Sequence, residues 1–183
     1  AIALQYLTPQ SSDETLIDIQ GGGSDLIFPH HEMCAAQAAV LTGKELAATY
    51  VHAGMIGLDG EKMSKSKGNL VFVSHLVAAG VDPMAIRWAL MSNHYHSDRM
   101  WSADVLTKAQ QELGLLKDAL NKNSVAPTAG LIQEIINSLS NDLDTPAAIA
   151  ELNAWSLKTN QGSEGGDVSE LRLILDSLLG LLL

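Results

Sequence analysis

One cysteine, Cys34, in a chain of 183 residues has nothing to pair with, so no internal disulfide framework staples this protein. A lone thiol fits a reducing compartment, and the expected location is the cytoplasm. Basic residues are scarce too. Eleven stand against 21 acidic ones, a net charge of −10, which repels a nucleic-acid backbone unless the positive charge is gathered in one place. No stretch approaches the roughly 18 to 20 uninterrupted apolar residues of a membrane span. The first residues, Ala1 to Leu7, lack the basic start of a secretory signal. Methionine is also missing there, and the opening Ala1-Ile2-Ala3-Leu4 reads as cut from the middle of something longer. A long polyanion and a bilayer are therefore not expected as partners.

What is present is apolar and patterned. A hydrophobic share of 46% allows one good core, or a small lobe with a helical appendage. The stretch Thr8 to Thr15 reads as a surface loop. Leu16 to Ile19 reads as a buried strand that opens into a flexible turn at Gly21-Gly22-Gly23. His30 to Leu41 suits a helix begun just past Pro29 and stopped by Gly43. Thr49 to Leu58 has strand character, and Asp59-Gly60 is a tight-turn signal leading into a lysine-bearing loop. Ser74 and Asp82 are expected N-caps, the second followed by a helix over 83–92 with Pro83 at its first position. Beyond Ser102, leucine and alanine at three-to-four spacing predict helices near 102–122, 129–141, 145–160 and 167–182, packed as an antiparallel bundle. The expected fold is an α/β lobe over 1–73, connecting helices over 74–101 and an all-α bundle over 102–183, mainly helical overall.

The positive charge is gathered once, where Lys62, Lys65 and Lys67 place three of the eleven basic residues within six positions. In Lys62-Met63-Ser64-Lys65-Ser66 two lysines stand three apart among small hydroxyl residues, with Lys67-Gly68-Asn69 behind them. Such a loop can close over a triphosphate and stabilise charge as it moves to a leaving pyrophosphate; alternatively it is a solvated charge run. A second constellation is Gly21 to Asp25 followed by Phe28-Pro29-His30-His31-Glu32. Glycines admit close backbone approach, and Asp25 at a strand end can hold a hydroxyl or an ammonium group. His30 with Cys34 one helical turn on offers metal ligands, although histidines at helix starts also serve as plain hydrogen-bonded groups.

The string Lys62 to Ser66 matches the KMSKS nucleotide-binding signature of class I aminoacyl-tRNA synthetases, and Asp18 to Glu32 closely resembles the segment of cysteinyl-tRNA synthetases that supplies zinc and adenylate contacts. The resemblance implies ATP and L-cysteine as substrates, with Mg2+ and Zn2+ as cofactors. Lys62 and Lys65 would be catalytic on the leaving phosphates. Gly23, Ser24, Asp25, Ile56, Lys62, Ser64 and Lys65 would line ATP or the cysteinyl-adenylate, Ile56 through its backbone. His30 inherits a zinc-ligand role, the remaining cysteine ligands lying before Ala1 in a missing N-terminal half of the same enzyme. Cys34 either approaches that metal or is a small buried helix residue, the reading preferred here. His31 and Glu32 either support the metal site or are structural.

Departures from the synthetase pattern narrow the family. Gln20 stands where cysteinyl-tRNA synthetases usually have histidine, and Cys34 where they usually place a glutamate ligand. Val51 to Gly60, Gly68-Asn69-Leu70-Val71 and Asp98 to Ser102 look like the cysteine ligases of the mycothiol pathway, which join cysteine to the amine of glucosaminyl-inositol and need no grip on tRNA. The length after the junction helices leaves no room for a basic anticodon-reading domain. The alternatives carried forward are a cysteinyl-tRNA synthetase fragment and a non-catalytic binding module of synthetase ancestry. The 183-residue piece alone is expected to be inactive.

Overall fold

A computed structural model describes residue 6 and residues 15–183. The expected surface loop at 8–15 and the opening Ala1 to Leu4 therefore lie almost wholly outside the described residues. Within them the order is β1 (Thr15–Gly23), a 3-10 turn (Ser24–Leu26), an irregular turn (Ile27–His31), α1 (Glu32–Thr42) and β2 (Glu45–Ala53). Then come β3 (Ile56–Leu58), β4 (Glu61–Lys62), α2 (Val73–Ala78), α3 (Pro83–Met91) and β5 (Arg99–Trp101). The chain ends in α4 (Ala103–Leu120), α5 (Ala129–Ser140), α6 (Thr145–Asn160) and α7 (Val168–Leu179). Contacts divide the chain into two compact units: one runs up to Ile56 and takes in His96–Arg99, and the other holds Gly57–Tyr95 and Met100–Leu183. The division at 73 and 101 rests on motifs and remains a proposal.

The first unit is built on a βαβ element. β1 and β2 pair in parallel, with Ile17 opposite Ala47 and Gly22 opposite His52. A parallel pair needs a crossover, and α1 supplies it. Leu16, Ile17, Ala38, Leu46 and Ala47 form the small core between strands and helix. The strand is buried only at its start, since Ile19 is 64% exposed. One expectation is corrected here: Gly21 to Gly23 form no flexible turn but continue β1, each paired to β2, and the chain turns only at Ser24. The ladder of backbone hydrogen bonds to Val51, His52 and Ala53 holds the glycines extended where their sequence alone favours a bend.

The second unit takes its core from the helices. Trp88, Leu116, Ile135, Leu152, Leu171 and Leu175 are all fully buried. α4 packs against α3 and α6, and α5 against α6. Two indoles sit inside, and each N–H finds a partner, Trp88 on the Glu112 carboxylate at 2.8 Å and Trp155 on the Ala126 carbonyl at 3.0 Å. That satisfaction is what permits a buried tryptophan. The four expected C-terminal helices fall within a few residues of their predicted ends. Asp82 caps α3 as expected, accepting from the Met84 N–H, with Pro83 at the first position. Ser74 does not cap α2; the extended residue Phe72 precedes that helix and Ser74 lies inside its first turn. No helix among the described residues is long and apolar enough to cross a membrane.

Candidate functional site

The lysine loop grows out of a two-residue hairpin. Leu58 pairs with Glu61 and Gly57 with Lys62, and the intervening Asp59 and Gly60 both have positive φ, 54° and 83°. Those angles define the mirror-image turn that fits the twist of two short strands, which is why Asp-Gly occupies it. Lys62 ends β4, and from there the loop is held by its own polar groups. Asn69 accepts from the Ser64 N–H at 2.9 Å and donates to the Lys62 carbonyl at 3.3 Å. The Ser64 hydroxyl accepts from the Lys67 N–H at 3.3 Å and lies 3.2 Å from the Ser66 hydroxyl. Gly68, with φ 67°, lets the chain double back, its N–H reaching the Lys65 carbonyl at 3.2 Å. Lys67 is paired with Glu61 at 2.7 Å, and Lys62, Lys65 and Lys67 are all exposed.

At the end of β1 the glycines make room rather than bends. A Cβ on Gly22 would stand 2.8 Å from the His31 ring and 2.9 Å from Leu26 Cδ1. On Gly23 it would stand 2.6 Å from an Asp25 carboxylate oxygen and 3.4 Å from the Met55 sulfur. Asp25 thus folds back over Gly23, and the segment that carries Ile56 begins beside it at Met55. Met55 is fixed in turn. Its N–H donates to Asp98 at 2.6 Å and its carbonyl accepts from the Arg99 N–H at 2.9 Å. Burial holds the Arg99 guanidinium below its usual pKa. Ser24 and Ile56 are half-buried and Asp25 is exposed.

The two histidines after Pro29 part company. His30 is exposed, whereas His31 is 8% exposed and sits in a chain of side-chain hydrogen bonds. Its Nε2 lies 3.1 Å from Gln20 Nε2 and its Nδ1 2.8 Å from His52 Nε2. An amide N–H₂ only donates, so His31 Nε2 accepts, its Nδ1–H donates, and His52 Nε2 accepts in turn. The chain borders a pocket of about 290 Å³ lined by Ile27, His31, Glu32, Ala35, Tyr50 and His52. Desolvation, and then the Glu45 carboxylate, push the Tyr50 hydroxyl above its usual pKa. Sequence reading assigned no role to His52. The available signal was register, since a parallel strand ending in Gln20-Gly-Gly faces Tyr50 to His52.

Cys34 is exposed, which corrects the reading of it as a small buried helix residue: it stands in the first turn of α1, and the core between strands and helix closes only one turn further on, at Ala38. His30 belongs to no group of three or more converging ligand side chains among the described residues. Structural and catalytic zinc sites take at least three protein ligands, so these residues do not by themselves build one. Of the expected site residues, Gly23, Ser24, Asp25, His30 and Ile56 fall in the first unit, and Lys62, Ser64 and Lys65 in the second.

Comparison with known proteins bears on this arrangement. Residues 5–111 match the catalytic domain of class I (C) tRNA synthetases. A protein of Salinispora tropica named L-cysteine:1D-myo-inositol 2-amino-2-deoxy-alpha-D-glucopyranoside ligase is 52% identical over 183 residues, covering 98% of this chain and 44% of its own length. Proteins of the same name from Geodermatophilus obscurus and Nakamurella multipartita are 49% and 52% identical, covering 91% and 90% of this chain. Those alignments take in 42% and 40% of the two relatives, so the chain spans less than half the length of the proteins it matches. Among solved structures, the LeuRS of Agrobacterium radiobacter K84 in a ternary complex with tRNA and LeuAMS superimposes with a TM-score of 0.54 at 16% identity. The match covers 81% of this chain and 23% of that one. That likeness speaks for the fold alone, an α/β lobe followed by helices. With the KMSKS loop and the glycine strand end inside the matched residues, the chain belongs to the class I (C) tRNA synthetase catalytic-domain family.

Proposed function

We propose that this chain is part of an ATP-dependent ligase that joins L-cysteine to the amine of glucosaminyl-inositol through a cysteinyl-adenylate, a step of mycothiol biosynthesis. The observation that carries the reading is about 50% identity, across nearly the whole chain, to proteins named for that ligation. In the first step the cysteine carboxylate attacks the α-phosphate of ATP, the bond to the bridging oxygen breaks and pyrophosphate leaves. Lys62 and Lys65 meet the charge growing on the leaving phosphates, and the exposed position of both on a loop tied down by Asn69 supports this role. Mg2+ would accompany the ATP. Gly23 and Ser24 offer a narrow edge to the adenylate, Asp25 an acceptor for a hydroxyl or ammonium group, and Ile56 its backbone to adenine. In the second step the sugar amine attacks the mixed anhydride and AMP leaves. His30, being exposed while His31 is engaged, is the histidine suited to a zinc ion completed by cysteines elsewhere in the enzyme; such an ion would select a thiolate over a hydroxyl.

Lys65→Ala in the full-length enzyme is expected to lower cysteine-dependent pyrophosphate exchange by about 100-fold or more, the usual effect of losing a charge that acts in the transition state. Exchange at the normal rate would sink the catalytic assignment. The 183-residue chain alone is expected to form no cysteinyl-adenylate, because the relatives use more than twice its length; adenylate detected with the purified chain would contradict this.

A further inference from the structure

We propose that Asn69 is a positioning residue for the lysine loop, its side-chain amide acting as the missing partner strand that fixes where Lys62 and Lys65 stand. The inference rests on the reading of that loop as the triphosphate clamp. β4 ends at Lys62, and the Lys62 carbonyl and the Ser64 N–H lie where the strand gives way to the loop. Asn69 takes both, donating from Nδ2 to the first at 3.3 Å and accepting at Oδ1 from the second at 2.9 Å. One planar amide thereby brackets Met63 from either side, as a backbone peptide would in a ladder.

Reach decides why the residue stands at 69. The chain can return to Lys62 only because Gly68 adopts φ 67° and closes a turn on the Lys65 carbonyl. Within that turn the Ser64 hydroxyl takes the Lys67 N–H, and the Lys67 ammonium is drawn back onto Glu61. Lys65 rides at the head of this closed circuit and Lys62 at its base. An exposed ion pair such as Glu61–Lys67 contributes little holding power. The amide bracket is directional, with its Ser64 bond part-buried and its Lys62 bond exposed, and it is the element that removes backbone freedom from the loop before ATP arrives. Preorganised charge stabilises a transition state without the cost of ordering it during the reaction.

The test uses the full-length enzyme and pyrophosphate exchange. Asn69→Ala removes both bonds and is expected to lower kcat about 10- to 100-fold, the fold-change matching two neutral hydrogen bonds. KM for cysteine and the melting temperature should stay close to those of the parent. Asn69→Asp preserves size and the acceptor for Ser64 but turns an oxygen toward the Lys62 carbonyl, so it should be impaired at least as much. The readout that a merely structural role would not move is coupling: if Asn69 acts through the lysines, Asn69→Ala combined with Lys65→Ala should be little slower than Lys65→Ala alone. Additive losses, or wild-type exchange by Asn69→Asp, would overturn the positioning role alone. Wild-type exchange by Lys65→Ala would overturn the clamp and this inference with it.

Discussion

At Gly22 the backbone runs so close to the His31 ring that a methyl group has no place to go. The required Cβ would lie 2.8 Å from an imidazole carbon and 2.9 Å from a leucine methyl, whereas one position earlier, on Gly21, it would meet only the Val51 carbonyl at 3.8 Å. Gly22→Ala is therefore expected to push His31 off both Gln20 and His52, and Gly21→Ala to leave them in place. Imidazole nitrogen resonances of the two variants check this; an undisturbed His31–His52 bond in Gly22→Ala would show that the strand gives way instead. Three adjacent glycines are thus not three copies of one device. Their sequence announced backbone proximity to something, but not that the something at Gly22 is the protein's own histidine, nine residues on, and at Gly23 its own Asp25. Local composition carries no record of which side chain returns to a strand. For the same reason His52 and Asn69 were invisible as polar partners, while Asp59-Gly60, whose geometry is set by its own two dihedral pairs, was legible outright.

Elements show the same division between local and distant causes. Asp82-Pro83 announced the start of α3 because the cap and the proline act on the next turn of chain. Lys117, 35 residues later on α4, adds what no local reading gives. Its ammonium lies 2.6 Å from the Asp82 carboxylate and, ahead of the Met84 N–H, holds that carboxyl below its usual pKa. A depressed acid contributes stability that is present above its unfolded pKa of about 3.9 and is lost as pH falls through the lower folded value. Asp82→Asn, which still caps, is expected to lower the melting temperature slightly at pH 7. The two proteins should converge as pH falls through the folded value of Asp82, where the wild-type carboxyl is protonated too. The pair is more than a third exposed, so the difference at pH 7 is at most about 1 kcal/mol. Asp82→Ala forfeits the cap besides, about 1 kcal/mol more, and that part persists at low pH. Thermal melts of the three proteins from pH 2 to 7 check both statements; a gap between wild type and Asp82→Asn that stays constant with pH would refute the ionic part.

Across the whole chain, the question is which acceptor a surface of this charge can hold. The net charge is −10, and several of the cations beyond the lysine loop are engaged by groups of the helical unit itself. Lys117 is on Asp82 and Lys108 faces Glu112. Arg87 donates to the Leu179 carbonyl, Arg172 to those of Leu120 and Leu183, and Lys122 to that of Asn160. Apart from Lys108, which shares a helix with Glu112, these groups tie separate segments of the helical unit together rather than presenting a stripe of charge. Gripping tRNA takes several phosphate contacts, and each releases counterions that make binding salt-dependent. The helical unit described here has Arg87 and Arg172 committed to backbone carbonyls. We therefore expect the purified chain to show no retention of tRNA in a mobility-shift assay at about 150 mM salt, where non-specific affinities of basic proteins are about 10⁻⁴ to 10⁻⁶ M. In the full-length enzyme, cysteine should pass to glucosaminyl-inositol and not to tRNA. A small amine acceptor of the kind proposed carries no polyphosphate backbone, so an acidic exterior would not oppose it. Efficient charging of tRNA by that enzyme would reverse the assignment of acceptor while leaving cysteine activation intact, since both outcomes share the adenylate and differ only in the nucleophile that opens it.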